Sequence, residues 1–200
     1  MQSFTRLSSP VIPLPLKDID TDLIIPAQYL TSTSRSGYGE NLFRRLRDSD
    51  PNFPLNLPQY KGAQILVTDN NFGCGSSREH AVWALLGAGI KVVICKSFAD
   101  IFFANSAKNG LLLVSLTPQT VDTILAKAQR GSFSLSVDLE KQTVSGEGID
   151  ERFSYDPFRR HCLLNGLDDL DYLLSHQAEI SAYRQAHEAQ RFFSAGKENN

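Results

Sequence analysis

Two hundred residues, 42% of them hydrophobic, are enough to bury a sizeable core. Twenty lysines and arginines against twenty-two aspartates and glutamates leave a formal charge of −2, without the basic footprint that nucleic acid requires. No run of about twenty apolar residues argues for a membrane span, and the N-terminal MQSFTRLSSPVIPLPL lacks an unbroken apolar core behind a basic start, so a cytoplasmic protein is expected.

In chain order, Pro10, Pro13 and Pro15 forbid a helix, and the first third, rich in Pro, Ser and Thr, predicts short strands and loops around DIDTD at 18–22. Asp20 and Asp22 flank Thr21 and share one side of an extended chain, which suits either paired carboxylates for a metal or, for Asp20, a local Asx turn. The middle alternates: strand 64–67, helix 77–87, strand 91–95, helix 98–108, strand 111–114, helix 118–129. Such alternation argues for parallel strands covered by helices, an α/β domain. Phe98, Ile101 and Phe102 repeat at helical spacing as core residues, and Lys108, Asn109 and Gly110 read as a helix stop. Beyond Gly131, SFSLSVDLE alternates apolar and polar residues, with KQTVSGEG as a hairpin partner. Residues 157–193 read as helical with a break at Asn165-Gly166. The expected organisation is a single domain, 1–193, followed by a disordered tail, 194–200.

Cys74, Cys95 and Cys162 are odd in number and widely spaced, so they form neither a disulfide framework nor a metal site of this chain. Cys95 closes the apolar run VVIC as a core residue, and Cys74 is the thiol placed to react. Arg159, Arg160 and His161 read as a helix end making salt bridges or touching a partner chain.

The run Asn71 to His80, NFGCGSSREH, joins strand to helix with two glycines, two serines, an arginine and a histidine. With Ser76 or Ser77 as N-cap, the unpaired helix-start N–H groups and the positive dipole end favour a carboxylate or phosphate. Gly73 and Gly75 supply positive φ, and Arg78 a planar fork for a carboxylate. Gly-x-Gly spacing alone serves an ordinary capped helix with an exposed arginine equally well.

The whole string GCGSSREH resembles the active-site turn of the aconitase superfamily, and four further segments, in order, agree: DIDTDLIIPAQYL (18–30), NLPQY (56–60), SFADIFFANSAKNGLL (97–112) and FRRHCLLNGLDDL (158–170). Together they resemble the family of 3-isopropylmalate dehydratase small subunits to about residue 190. The resemblance implies a swivelling β/β/α layered domain, like the mobile fourth domain of aconitases, with a helical C-terminal segment. It implies a hydro-lyase, active only with a large subunit as a heterodimer or heterotetramer, that isomerises 2-isopropylmalate to 3-isopropylmalate in leucine biosynthesis. The large subunit would carry a four-iron, four-sulfur cluster, with none bound by this chain.

By the same resemblance Ser76 is the proton-abstracting serine, Arg78 stabilises it and holds a substrate carboxylate, and Ser77 donates to substrate or caps the helix. Asp22 is a supporting residue that orients a histidine of the partner, and His80 packs or bonds at the interface. Arg35, in the loop TSTSRSGYG, is the arginine for the distal carboxylate, although the loop is about one residue longer than the family pattern. Tyr29, Leu30 and Tyr38 supply apolar surface for an isopropyl group or are structural. The alternatives are the small subunit of a homoaconitase or methylmalate dehydratase and, from another class, a non-catalytic anion-binding or assembly module.

Overall fold

The computed structural model describes residues 1–30 and 36–195, with side chains as far as His187. Its strands are β1 Arg6–Leu14, β2 Ile65–Thr68, β3 Val92–Cys95, β4 Leu112–Ser115, β5 Ser134–Asp138, β6 Thr143–Gly146 and β7 Ile149–Arg152. The α-helices are α1 Thr21–Ile24, α2 Arg44–Ser49, α3 Glu79–Gly87, α4 Asp100–Asn109, α5 Pro118–Arg130, α6 Pro157–Asn165, α7 Asp169–Ser175 and α8 Gln177–Ala195. One sheet runs β4-β3-β2-β1-β5-β6-β7, parallel from β4 to β1 and antiparallel from β1 to β7.

β1 is a single nine-residue strand where short strands and loops were expected, and it carries Pro10 and Pro13 at the centre of the sheet. Proline lacks the N–H that a central strand needs on both sides. Here the strand changes partner: Arg6 to Pro10 pair with β5, and Val11 to Leu14 pair with β2. Val11 N–H points to the β5 side, where it reaches Phe133 O at 2.9 Å. By alternation Pro10 faces the β2 side before β2 begins, and Pro13 faces the β5 side after β5 has been passed.

The strands β2, β3 and β4 are apolar on both faces because both are covered. Ile65, Val67, Val92, Ile94, Leu112 and Val114 pack into one core with α5 and with Leu135, Val137 and Val144 of the curled antiparallel half. Leu66, Val93, Cys95 and Leu113 pack on the opposite face with Ala81, Val82 and Leu85 of α3 and with Phe72 and Phe102. Each fully buried aliphatic side chain contributes about 1.5–3 kcal/mol of transfer free energy.

β7 completes the predicted hairpin as a third strand. Gly166, in the left-handed conformation, ends α6 at the predicted break. α8 continues to Ala195, past residue 194 where the tail was expected to start, and residues 196–200 lie outside the described residues. Arg160 is taken up internally, its Nε donating to Leu139 O at 3.1 Å, and Arg159 lies 5.2 Å from the Phe103 ring.

The parallel half fixes the position of the polar turns. The chain leaving β1 forms Asp18 to Asp22, the chain leaving β2 forms Asn71 to Arg78, and the chain leaving β3 runs into α4. All three meet at the carboxyl ends of parallel strands, where open α/β sheets place their ligands.

Candidate active site

The glycine turn is stitched to the segment after β1. Gly73 N–H donates to Ile19 O at 2.7 Å, Thr21 N–H to Cys74 O at 3.0 Å, and Thr21 Oγ1 to Ser76 O at 2.9 Å. Gly73 and Gly75 have φ of +79° and +83°. At Gly73 a Cβ would lie 2.2 Å from the Phe102 ring, so only glycine lets the turn rest on α4.

Ser76 and Ser77 are exposed, and among the described residues neither hydroxyl has a hydrogen-bond partner. With Thr21 and Arg78 they line a cavity of about 260 Å³, whose other wall is α4, contributing Asp100, Ile101 and Asn105. Ile101, expected in the core, is 56% exposed at this wall, whereas Phe102 beside it is buried.

The helix begins later than predicted. Arg78 itself is the N-cap, extended at φ −125° and ψ 105° and without a side-chain cap bond, and α3 starts at Glu79. The reason is a contact from the segment after β1: the Thr21 hydroxyl takes the Ser76 carbonyl, and Gly75 is left-handed, so Ser76 and Ser77 remain non-helical. Neither serine caps the helix. The helix-start N–H groups therefore lie downstream of the hydroxyls, and Glu79, an acid in the first turn, already complements them.

The Arg78 side chain is 24% exposed and donates through Nη1 to Asp22 Oδ1 at 2.5 Å. Its remaining N–H groups have no partner among the described residues, so one edge of the fork is committed and another is open. Asp22 Oδ1 also accepts from Ala27 N–H at 3.2 Å, and Oδ2 accepts from Arg45 Nη1 at 3.1 Å. The Arg78 bond is the chief reason the Asp22 carboxyl titrates below the usual carboxylate range. Asp20 points elsewhere: as the cap of α1 it accepts from Leu23 N–H at 2.6 Å, so the two aspartates do not form a pair.

His80 does not line the cavity. It sits edge-on to Trp83 and Tyr38, with ring centroids 4.7 and 5.3 Å away. Tyr38 is buried under it, and Tyr29 and Leu30 pack partly buried against the same core. Arg35 lies outside the described residues.

The serine turn and α4 are tied a second time. Asn109, read from sequence only as part of a helix stop, donates through Nδ2 to Glu79 Oε1 at 2.7 Å and accepts from Trp83 Nε1 at 2.9 Å. Asn105 and Asp100 were missed as cavity residues because their helix reads as a core helix. The available signal was the polar i, i+4 pair Asn105 and Asn109 in that helix.

Among the described residues no three His, Cys, Asp or Glu side chains converge as a metal site. Cys95 and Cys162 are buried, Cys74 is half-buried, and burial pushes all three thiols up. For Cys74, Asp20 and Asp18 add to that shift, so this turn makes a poorer thiolate than its sequence suggested.

Residues 1–119 match the aconitase C-terminal domain family. The chain is 54% identical over 186 residues to the 3-isopropylmalate dehydratase small subunit of Francisella tularensis subsp. novicida, covering 93% of this chain and 98% of that one. It is 50% identical over 198 residues to the small subunit of the same name from Dinoroseobacter shibae, covering 96% and 98%. A crystal structure of 3-isopropylmalate dehydratase from Methanocaldococcus jannaschii superposes with TM-score 0.66 at 28% identity, covering 89% of this chain and 99% of that one.

Proposed function

Since this chain belongs to the family of 3-isopropylmalate dehydratase small subunits, built on the aconitase C-terminal domain, we propose that the cavity at Ser76, Ser77 and Arg78 is its half of the active site. The fold is the swivelling β/β/α domain of that superfamily. The chain works in a hydro-lyase of leucine biosynthesis that converts 2-isopropylmalate into 3-isopropylmalate by removing and re-adding water.

The observation that carries the site assignment is two exposed hydroxyls, unpartnered among the described residues, beside an arginine with an open edge, all lining one cavity. Elimination needs a base for the C–H beside a carboxylate. The released electron pair forms the alkene as the hydroxyl leaves the neighbouring carbon, and re-addition returns the proton to that neighbour. Deprotonated Ser76 Oγ takes and returns the proton. The open edge of Arg78 holds the substrate carboxylate, and its charge lowers the cost of the alkoxide. Asp22 fixes the guanidinium but offsets part of its field, and Arg45 on the far oxygen restores the balance. Ser77 donates a further hydrogen bond to substrate, Arg35 reaches the distal carboxylate, and His80 supports the first turn of α3 from its aromatic cluster.

Among the described residues of this chain no group of side chains fits an iron–sulfur cluster; a four-iron, four-sulfur cluster that would assist departure of the hydroxyl is assigned to the large subunit. The pair assembles as a heterodimer or heterotetramer in the cytoplasm. No helix of the described residues is long and apolar enough to cross a membrane. The test is reconstitution with the large subunit: Ser76→Ala should lower turnover by about 10²–10⁴ with assembly intact. Parental turnover in that variant overturns the assignment.

A further inference from the structure

We infer that Asn105 is a substrate-binding residue of this cavity, its side-chain amide donating to a carboxylate oxygen of the dicarboxylic acid on which Ser76 acts; the inference rests on the site reading above. Asn105 lines the cavity with Ser76, Ser77 and Arg78. It is half-buried, yet among the described residues its amide has no hydrogen-bond partner. A partly desolvated amide without a partner costs free energy unless something fills its donors, and a carboxylate is a strong acceptor for them.

The backbone around it is held on both sides. One turn later Asn109 bonds to Glu79 and Trp83 of α3 and donates to the Asn105 carbonyl at 2.8 Å. Residues four apart share a helix face, so the face that Asn109 turns toward α3 also carries Asn105. On the preceding turn Phe102 rests against Gly73, which packs α4 against the serine turn. A neutral donor is thus mounted across the cavity from Arg78, whose single open edge leaves further acceptor sites of the carboxylate it holds unfilled, the distal carboxylate being left to Arg35.

The experiment compares Asn105→Ala, Asn105→Asp and Ser76→Ala in the holoenzyme reconstituted with the large subunit, measuring kcat and KM for 2-isopropylmalate, melting temperature and co-elution. Losing a hydrogen bond to a charged group should raise KM about 10- to 100-fold in Asn105→Ala, with kcat changed far less. Asn105→Asp, equal in size but negative, should lose more, with melting and assembly at parental values. Parental KM in both Asn105 variants, with Ser76→Ala inactive, overturns the inference and leaves the site reading standing. An active Ser76→Ala removes the site reading and Asn105 with it. If Asn105→Ala does not fold, the isosteric Asn105→Asp decides: a lowered melting temperature at unchanged KM assigns Asn105 a structural role and overturns the inference.

Discussion

Arg78 and Asp22 meet at the rim of the serine cavity through a single bond, Nη1 to Oδ1 at 2.5 Å, while Asp22 holds Arg45 on its other oxygen at 3.1 Å. One carboxylate thus joins two guanidiniums, and the row carries a net positive charge beside the serine cavity. Asp22→Asn should loosen Arg78 and raise KM about tenfold, with a smaller effect on Arg45→Ala, because Arg45 touches only the outer oxygen. Steady-state kinetics of the reconstituted enzyme checks this order.

The same pair sets an acid limit. Asp22 titrates below the unfolded value of about 3.9, so its contribution to stability is present above that value and disappears as pH falls through the lower folded midpoint. Parent and Asp22→Asn should differ in melting temperature at pH 5–8 and converge in strong acid, and an NMR titration of the carboxyl should show the depressed midpoint.

Gly73→Ala should destabilise far more than Gly75→Ala. Both have positive φ, which costs an alanine about 1–2 kcal/mol, but the new methyl at Gly73 lands in the Phe102 ring, whereas at Gly75 the nearest atom is Asp20 Cβ at 3.4 Å. Overpacking adds about 1–3 kcal/mol at Gly73 alone. Denaturant unfolding of the two variants measures the difference.

Asn109→Leu removes the partner of Trp83 Nε1 and of Glu79 Oε1 together. Losing each of these hydrogen bonds costs about 0.5–1.5 kcal/mol, and α4 gains freedom to drift from the serine turn. Both stability and activity should fall, unlike in the Asn105 variants.

The thiols should resist alkylation near pH 8. At Cys74 the opposing charges are Asp20 and Asp18, so Asp18→Asn should speed its reaction with iodoacetamide, and Cys95 and Cys162 should stay silent until unfolding. Mass spectrometry of the labelled chain reads out each site.

Much of this was legible in sequence because it is periodic. The apolar runs VVIC and QILV and the amphipathic spacing between them place the parallel half to within two residues, since a strand covered on both faces carries its own hydrophobic signature. The positive φ of Gly73 and Gly75 was legible for a similar reason: the residue type reports the backbone directly. The start of α3 was not, because the hydroxyl that claims the Ser76 carbonyl belongs to Thr21, far away in sequence. Nor was β1 readable as one strand, since its prolines are tolerated only where the neighbours change over. Asn105 escaped notice because what faces it across the cavity is set by tertiary placement, and the i, i+4 spacing from Asn109 marks it only faintly.

That changeover at Pro10 and Val11 also orders events during synthesis. The first strand leaves the ribosome early, but half of its length has no ladder to join until Ser134–Asp138 emerge. Closing so large a loop is slow, and until then the exposed half-strand invites stray pairing. Folding of the nascent chain should therefore reach completion only late in translation, and a ribosome-stalled fragment ending before β5 should leave the first strand open to capture by chaperones.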